Sequence, residues 1–211
     1  MLKVGLTGSI AVGKSFVASV LAESGAHVLD ADQTARDVVA PETEGWRAVV
    51  AAFGREILWP DGNLNRARLG EIIFADAARR QTLNSIVHPL VFAAQDEALQ
   101  RWARADPDGV GIIDAALLIE SGGYRRFDKL VVVHCQPEIQ SARLQQRNGL
   151  TPAQAEQRIA AQMPQAEKMS YADYLIDSSD GFAGTRRRAQ EIYRELSKLA
   201  ARESLNAVAE T

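Results

Sequence analysis

The amino terminus of the chain contains the run Leu2-Lys3-Val4-Gly5-Leu6-Thr7-Gly8-Ser9-Ile10-Ala11-Val12-Gly13-Lys14-Ser15. Its apolar first half predicts a buried strand, and residues 14–23 have the pattern of a helix that Gly25 can end. Between strand and helix, Gly8–Ser15 fits the spacing G-x-x-x-x-G-K-[ST]. Glycines in such a loop let backbone N–H groups point at phosphate oxygens, and the lysine and serine serve the β- and γ-phosphates and Mg²⁺. The run therefore predicts a nucleoside triphosphate site.

Four more short apolar runs follow along the chain. They cover residues 26–29, 111–114, 129–134 and 174–177. Because helical patterns alternate with most of these strands, they predict right-handed crossovers and a doubly wound parallel sheet, which is an α/β fold. Residues 34–104 have helical periodicity only and interrupt this alternation. They predict a helical insertion at the carboxyl edge of the sheet.

Local signals in the helical regions predict where helices begin and end. Asp76 is expected to cap a helix that His88-Pro89 interrupts. Thr151 with Gln154 three residues later is typical of a helix start. A final amphipathic helix is expected from Phe182 to about Ala201, followed by a frayed tail over residues 202–211.

The composition is that of an ordinary soluble domain, with 211 residues, 46% hydrophobic residues and a formal net charge of −3. Without a global positive field, we expect no nucleic-acid or membrane partner. The single Cys135 cannot form an internal disulfide, and no Cys/His spacing indicates a zinc site. No signal-peptide core or long apolar run is present, which predicts a cytoplasmic location. No obligate protein partner is evident either.

Two carboxylates follow the second predicted strand. Asp30 and Asp32 are two residues apart, so in extended backbone both side chains would project to the same side. The carboxyl ends of parallel strands form the ligand crevice of open α/β sheets, where a carboxylate can take a proton from an attacking hydroxyl. The alternative is an Asp-x-Asp turn that caps the next helix. The chain has no Asn-Lys-x-Asp motif of a GTPase, which favours a small-molecule kinase.

Short segments that match one family pattern run through nearly the whole chain, from about Leu2 to Leu196. They are Gly5–Ile10, Gly13–Ser15, Val28–Asp32, Ala35–Val39, Phe53-Gly54, Asp61–Leu64, Ile73-Phe74, His88–Leu90, Asp114–Glu120, Leu130–Val133, Gln146-Arg147, Arg158–Gln162 and Ala172–Asp177. The most diagnostic are Asp30-Ala31-Asp32 with the following Ala35-Arg36, and His88-Pro89-Leu90. On these segments the sequence resembles the dephospho-coenzyme A kinase family.

The resemblance implies a P-loop kinase-like sheet with an inserted helical substrate domain and a lid. The nucleotide-binding core would comprise residues 1–33, 107–140 and 170–202. Residues 34–106 would be the acceptor-binding insertion, residues 141–169 the lid, and residues 203–211 a flexible tail.

The resemblance also implies an activity, namely ATP-dependent phosphorylation of the ribose 3′-hydroxyl of dephospho-coenzyme A, the last step of coenzyme A synthesis. Asp32 would be the general base, with Lys14 and Arg147 also catalytic, and Ser15 and Asp30 would serve Mg²⁺. The residues expected to bind the acceptor are Asp32, Arg36, His88 and Leu117. Those expected to bind ATP are Gly8, Ala11, Val12, Gly13, Lys14, Ser15, Phe16 and Arg143.

The chain departs from the family pattern in the phosphate-binding loop. Ser9, Ala11, Val12 and Phe16 stand where the family usually has Gly, Gly, Ser and Thr. Alanine and valine can still direct their amides inward provided that their φ values are negative. Phe16 removes a hydroxyl that could touch the α-phosphate. Outside the loop, Ala116, Ile119 and Ser178 replace the usual Pro, Phe and Asn.

Several alternatives stay open at the level of sequence. Arg143 and Arg147 lie four residues apart on a predicted helix, where they are either lid arginines or a solvated face. His88 is either an acceptor-binding residue or the histidine of a kinked helix. Beyond these residues, the acceptor could be a nucleoside monophosphate or a small sugar, and a degenerate loop could belong to a nucleotide-dependent regulatory protein without kinase activity.

Overall fold

The computed structural model describes residues 1–209, without the side chains of residue 203 and residues 206–209. Five parallel strands form one sheet in the order β2-β3-β1-β4-β5. They are β1 (Leu2–Gly8), β2 (His27–Asp30), β3 (Val110–Asp114), β4 (Lys129–His134) and β5 (Tyr174–Asp177). The predicted doubly wound parallel sheet is confirmed.

The helices of the described residues are α1 (Lys14–Glu23), α2 (Ala31–Asp37), α3 (Glu44–Phe53), α4 (Arg66–Ala75), α5 (Ala77–Ala105), α6 (Pro137–Asn148), α7 (Pro152–Ala160), α8 (Gln165–Met169) and α9 (Gly181–Ala209). Short 3₁₀ helices cover Arg55–Ile57 and Gly123–Arg126. None of the described helices is both long enough and apolar enough to span a membrane.

The strand β1 lies at the centre of the sheet. Its Leu2 is in register with Val110 of β3, and its Val4 with Lys129 of β4. Because β1 has neighbours on both edges and helices over both faces, its apolar side chains are fully buried. Burying each leucine or valine of this kind contributes about 1.5–3 kcal/mol. The loop that follows β1 therefore starts from the most firmly held strand of the sheet.

The chain divides into two compact units. One comprises Met1–Leu29 and the chain from Leu99 onward, and holds the body of the sheet. The other comprises Asp30–Ala98 and has its own apolar core, in which Val49, Phe53 and Ile57 are buried. The predicted insertion over residues 34–106 differs from this second unit at both ends, and the roles given to the predicted domains stay predictions.

One predicted helix interruption and one predicted helix end are wrong. The helix α5 continues through His88-Pro89 without the predicted interruption. It does so because Val87 packs in the second unit's core and Val91 is buried, and this packing offsets the missing N–H bond of proline. The helix α9 reaches Ala209, well past the predicted end near Ala201. Residues 210–211 of the predicted tail lie outside the described residues.

Candidate active site

The phosphate-binding loop connects β1 to α1. At Gly8 a Cβ atom would lie 2.6 Å from the carbonyl oxygen of Val133 on the neighbouring strand, so only glycine fits there. At the other end, Gly13 adopts φ 87° and ψ 18° directly before α1. No side chain caps this helix, and since the Phe16 N–H donates to the Gly13 carbonyl at 3.1 Å, the amides of Lys14 and Ser15 are left for another acceptor. A helix N-terminus of this kind attracts an anion such as a phosphate.

Ala11 occupies the left-handed region of backbone space, with φ 62°. The negative φ that alanine would need in order to direct its amide inward without strain is therefore absent at Ala11. A β-carbon at positive φ clashes with the backbone, which costs roughly 1–2 kcal/mol for an alanine. Val12 has no positive φ, as expected. Ser9, the other non-glycine residue at a usual glycine position, has a buried hydroxyl without a hydrogen-bond partner among the described residues.

Lys14, at the first position of α1, forms an ion pair with the buried Asp114. Asp114 ends β3, the strand next to β1, so its carboxylate lies at the same sheet edge as the loop. No sequence motif assigns a role to Asp114. The rule that placed Asp30 and Asp32 in a ligand crevice also applies to Asp114, because it too ends a parallel strand. The pair is neutral as a whole, and it fixes the position of the Lys14 ammonium beside the loop.

Arg143 of α6 is connected to the loop through Ser178. Its Nη1 donates to Ser178 Oγ at 2.9 Å and its Nη2 to the Ser178 carbonyl at 2.8 Å. The Ser178 hydroxyl in turn donates to the carbonyl oxygen of Val12 at 2.6 Å. The structure thus brings the predicted Arg143 to the loop, through a serine where the family usually has asparagine.

Three glutamines also connect to the loop, and the sequence analysis missed them. Gln162 accepts from the Ile10 N–H at 2.7 Å, and Gln140 donates to the Ile10 carbonyl at 2.8 Å. Gln165 donates to Gln140 at 2.8 Å. Their spacing of 22 and 3 residues along the chain carries no motif that would have shown this.

The remaining predicted residues of the first unit lie apart from these contacts. Arg147 is exposed and its Nε donates to the neighbouring Asn148 at 3.0 Å. Phe16 packs edge-on against Phe182, with 4.8 Å between ring centroids. Leu117, in the segment after β3, is about half exposed.

The acidic pair is arranged differently from the expectation. Asp30 accepts from the N–H groups of Asp32 and Gln33 at 2.8 and 3.1 Å, and so caps α2. Asp32 lies in the first turn of that helix, so the assumption of extended backbone, with both carboxylates on one side, is wrong. The open alternative of an Asp-x-Asp cap describes Asp30. Asp32 is exposed, and its negative charge suits a helix N-terminus.

The other two predicted acceptor residues also belong to the second unit. Arg36 lies in the last turn of α2 with an exposed side chain. His88 is exposed on α5, with its ring centroid 6.1 Å from that of Phe92. Neither contact assigns a ligand, so both roles stay predictions.

Two titratable groups near Ser178 have shifted pKa values. Burial raises the pKa of the Cys135 thiol, although the nearby Arg143 charge opposes the shift. The thiol is therefore protonated at neutral pH and is a poor nucleophile. Burial would raise the pKa of Asp177, but hydrogen bonds from the Ser179 hydroxyl and N–H lower it overall. Asp177 is accordingly ionised at neutral pH.

No group of three or more His, Cys, Asp or Glu side chains within the described part of the chain could hold a metal ion. Mg²⁺, however, is commonly bound through one or two protein oxygens together with the phosphates of a substrate. The Ser15 hydroxyl beside Lys14 fits that mode, and the capping bonds of Asp30 use only its Oδ1.

Comparison with known proteins identifies the family of the chain. A family model described as dephospho-CoA kinase matches residues 2–183. The chain belongs to the dephospho-CoA kinase family. Relatives of that name from Geobacter metallireducens and Streptomyces avermitilis are 44% and 45% identical to it, over 92% and 93% of this chain and 96% and 94% of theirs.

Membership of the dephospho-CoA kinase family is also visible in the fold. The solved structure of the dephospho-CoA kinase from Campylobacter jejuni has a TM-score of 0.71 and 25% identity, covering 93% of this chain and 97% of that chain. The chain is thus an ATP-using kinase of this family with a small-molecule substrate.

Proposed function

We propose that this chain transfers the γ-phosphoryl group of ATP to the ribose 3′-hydroxyl of dephospho-coenzyme A, which gives coenzyme A. The observation that supports this most is the Gly8–Ser15 loop, with Lys14 at the N-terminus of α1, in a chain 44% identical to a named dephospho-CoA kinase. Within this proposal each side chain has a distinct part.

The loop and the arginines compensate the charge of the triphosphate. The Ile10 and Val12 N–H groups already donate to Gln162 and to the Ser9 carbonyl, so the backbone N–H groups at the start of α1 hold the phosphates, and Lys14 places its ammonium against the transferred group. Arg143 is held near the loop by Ser178. Arg147, on the same helix, supplies a second guanidinium. Phosphoryl transfer needs positioning and charge compensation above all, which these groups provide.

The acceptor hydroxyl is deprotonated by Asp32 as its oxygen forms a bond to the γ-phosphorus and the bond to the ADP oxygen breaks. Arg36, His88 and Leu117 hold the acceptor. Ser15 and Asp30 would hold Mg²⁺ or its waters, and a bound ion would supply positive charge to the phosphate oxygens. Asp30 also caps α2, so it positions Asp32 by its backbone.

The decisive experiment incubates the purified protein with ATP, Mg²⁺ and dephospho-coenzyme A and identifies the phosphorylated position by mass spectrometry. We expect the product to be coenzyme A, with the new phosphate on the ribose 3′-oxygen. A product formed only from AMP, CMP or gluconate would replace the proposed acceptor. ATP binding without any phosphorylated product would favour the regulatory alternative.

Asp32→Asn tests the base. Loss of a general base lowers turnover by about 10²–10⁴-fold, while the Kd for ATP stays within about twofold. Asp37→Asn, on the same helix and also exposed, is the matched control and should retain wild-type turnover. Wild-type turnover in Asp32→Asn would remove Asp32 from the role.

A further inference from the structure

We propose that Gln140 and Gln162 are positioning residues for ATP binding, because together they hold both backbone groups of Ile10 and so set the shape of the phosphate-binding loop before nucleotide arrives. This inference rests on the proposed function only in taking ATP as the nucleotide. It concerns residues that touch the loop backbone and not the phosphates.

The two bonds to Ile10 are short and largely shielded from water. The Ile10 N–H donates to Gln162 Oε1 at 2.7 Å, and Gln140 Nε2 donates to the Ile10 carbonyl at 2.8 Å. Gln140 is only 2% exposed, and Ile10 and Gln162 are half-buried. These groups belong to the two peptide units that flank the Ile10 Cα, so with both of them bonded to separate side chains Ile10 has little freedom to change its φ and ψ angles.

The direction of each amide in this network is fixed by the protein backbone. The Cys135 N–H can only donate, and it donates to Gln165 Oε1 at 3.1 Å. Gln165 therefore presents Nε2 to Gln140 Oε1, which leaves Gln140 Nε2 to donate to the Ile10 carbonyl. One orientation of each glutamine satisfies all the bonds, so the network holds Ile10 in one conformation.

Ala11, the residue after Ile10, is the one whose backbone conformation needs this support. Ala11 has φ 62°, a conformation that alanine avoids, and such residues persist only where the surroundings over-determine them. The glutamines fix Ile10 before Ala11, and the Ser178 hydroxyl fixes the Val12 carbonyl after it. The loop is thus held on both sides of its strained residue.

The glutamines lie in different elements, so the loop is bonded directly to two of them and, through Gln140, indirectly to a third. Gln140 is in α6, Gln165 is in α8, and Gln162 lies in the connection between α7 and α8. Loss of one bond should therefore loosen the loop without removing the others. Bound triphosphate can then restore the loop at the expense of binding energy, so the defect belongs in ATP affinity and not in turnover.

The test uses Gln162→Met and Gln140→Met, which keep the side-chain length and remove the hydrogen bonds. Gln162→Met should raise the Kd and the KM for ATP by about three- to tenfold, the range expected for one lost hydrogen bond. Gln140→Met loses its bond to Ile10 and the bond from Gln165, so its effect should be at least as large, and kcat at saturating ATP should stay within about twofold of wild type in both variants. Amide hydrogen exchange of the segment 8–13 without nucleotide should become faster in both variants. The matched control is Gln157→Met, an exposed glutamine of α7, which should change none of these quantities.

Unchanged ATP affinity and unchanged exchange in Gln162→Met would overturn the proposal, as would a fall in kcat with ATP affinity intact. Because Gln140 is buried, its variant could unfold, and Gln162→Met, at a half-buried position, then decides alone. Calorimetric ATP binding and hydrogen exchange need no acceptor. They test this inference even if the protein does not phosphorylate dephospho-coenzyme A.

Discussion

Ala11 has the backbone conformation of a glycine, and the loop carries that strain next to Gly13, whose φ is 87°. Ala11→Gly removes a clash of roughly 1–2 kcal/mol but adds about 0.5–1 kcal/mol of chain entropy to the unfolded state, so the free energy of unfolding should rise by about 0.5–1 kcal/mol. Gly13→Ala is the reverse control. Its Cβ would meet nothing closer than 3.6 Å, so the positive φ costs about 1–2 kcal/mol, the lower chain entropy of the unfolded state offsets about 0.5–1 kcal/mol, and stability should fall by about 0.5–1 kcal/mol. Urea denaturation measures both, and a loss of stability in Ala11→Gly would contradict this account.

Single residues of the site were predictable where chemistry is tied to local spacing. Lys14 and Ser15 follow from a loop motif read within a few residues. Asp114, Ser178 and Gln162 reach the loop from 100, 166 and 152 positions away in the chain. No local pattern contains such a contact, because it exists only once the parallel strands and the crossover helices have brought distant segments together.

Gly45, Gly70 and Gly184 lie within helices, and the space around each predicts a different effect of alanine. At Gly70 in α4 a Cβ would have no neighbour within 4 Å, so Gly70→Ala should stabilise the protein by about 0.5–1 kcal/mol through lower chain entropy. At Gly184 in α9 the Cβ would lie 3.2 Å from Asp180, and the gain should be smaller. At Gly45 in α3 it would lie 2.2 Å from the Val38 carbonyl, so Gly45→Ala should destabilise. Thermal denaturation of the three variants tests the order, and an order led by Gly45→Ala would contradict it.

Whole elements were predicted best where apolar runs are flanked by clear signals. The strands and α1 were placed within a residue or two, and the Thr151–Gln154 capping box begins α7 as expected. The N-terminal end of α2 was predicted wrongly as extended backbone. An Asp-x-Asp segment occurs both at the end of a strand and in the cap of a helix. The bond from Asp32 N–H to Asp30 decides between them. In helix α5 a clear local signal gave the wrong prediction. Packing along its 29 residues keeps the helix continuous although Pro89 locally disfavours it.

At the scale of the whole molecule, one buried ion pair connects α8 to the segment after β3. Lys168 is 1% exposed, and its ammonium lies 2.8 Å from Glu120, which is 24% exposed, and 2.9 Å from the Ala116 carbonyl. Glu120→Ala should lower the free energy of unfolding by about 3 kcal/mol because it leaves a buried cation without its counter-charge. Lys168→Met should cost less, about 1–2 kcal/mol, because water still reaches Glu120.

The matched control for that pair is Glu71→Ala, which breaks the exposed Arg68–Glu71 pair at 3.0 Å and should change stability by at most about 0.5 kcal/mol. Chemical denaturation of the three variants gives the comparison. If Lys168→Met proved more damaging than Glu120→Ala, the stranded charge would not be the cause.

Because β1 lies at the centre of the sheet, it cannot pair while the nascent chain is still short. Both of its partners lie far downstream, since Leu2 meets Val110 and Val4 meets Lys129. A ribosome adds about 5–20 residues per second, so this apolar segment waits roughly 5–25 s for its neighbours to be synthesised. Assembly of the sheet is therefore slow and late, and during translation β1 is the segment most exposed to chaperones and to aggregation.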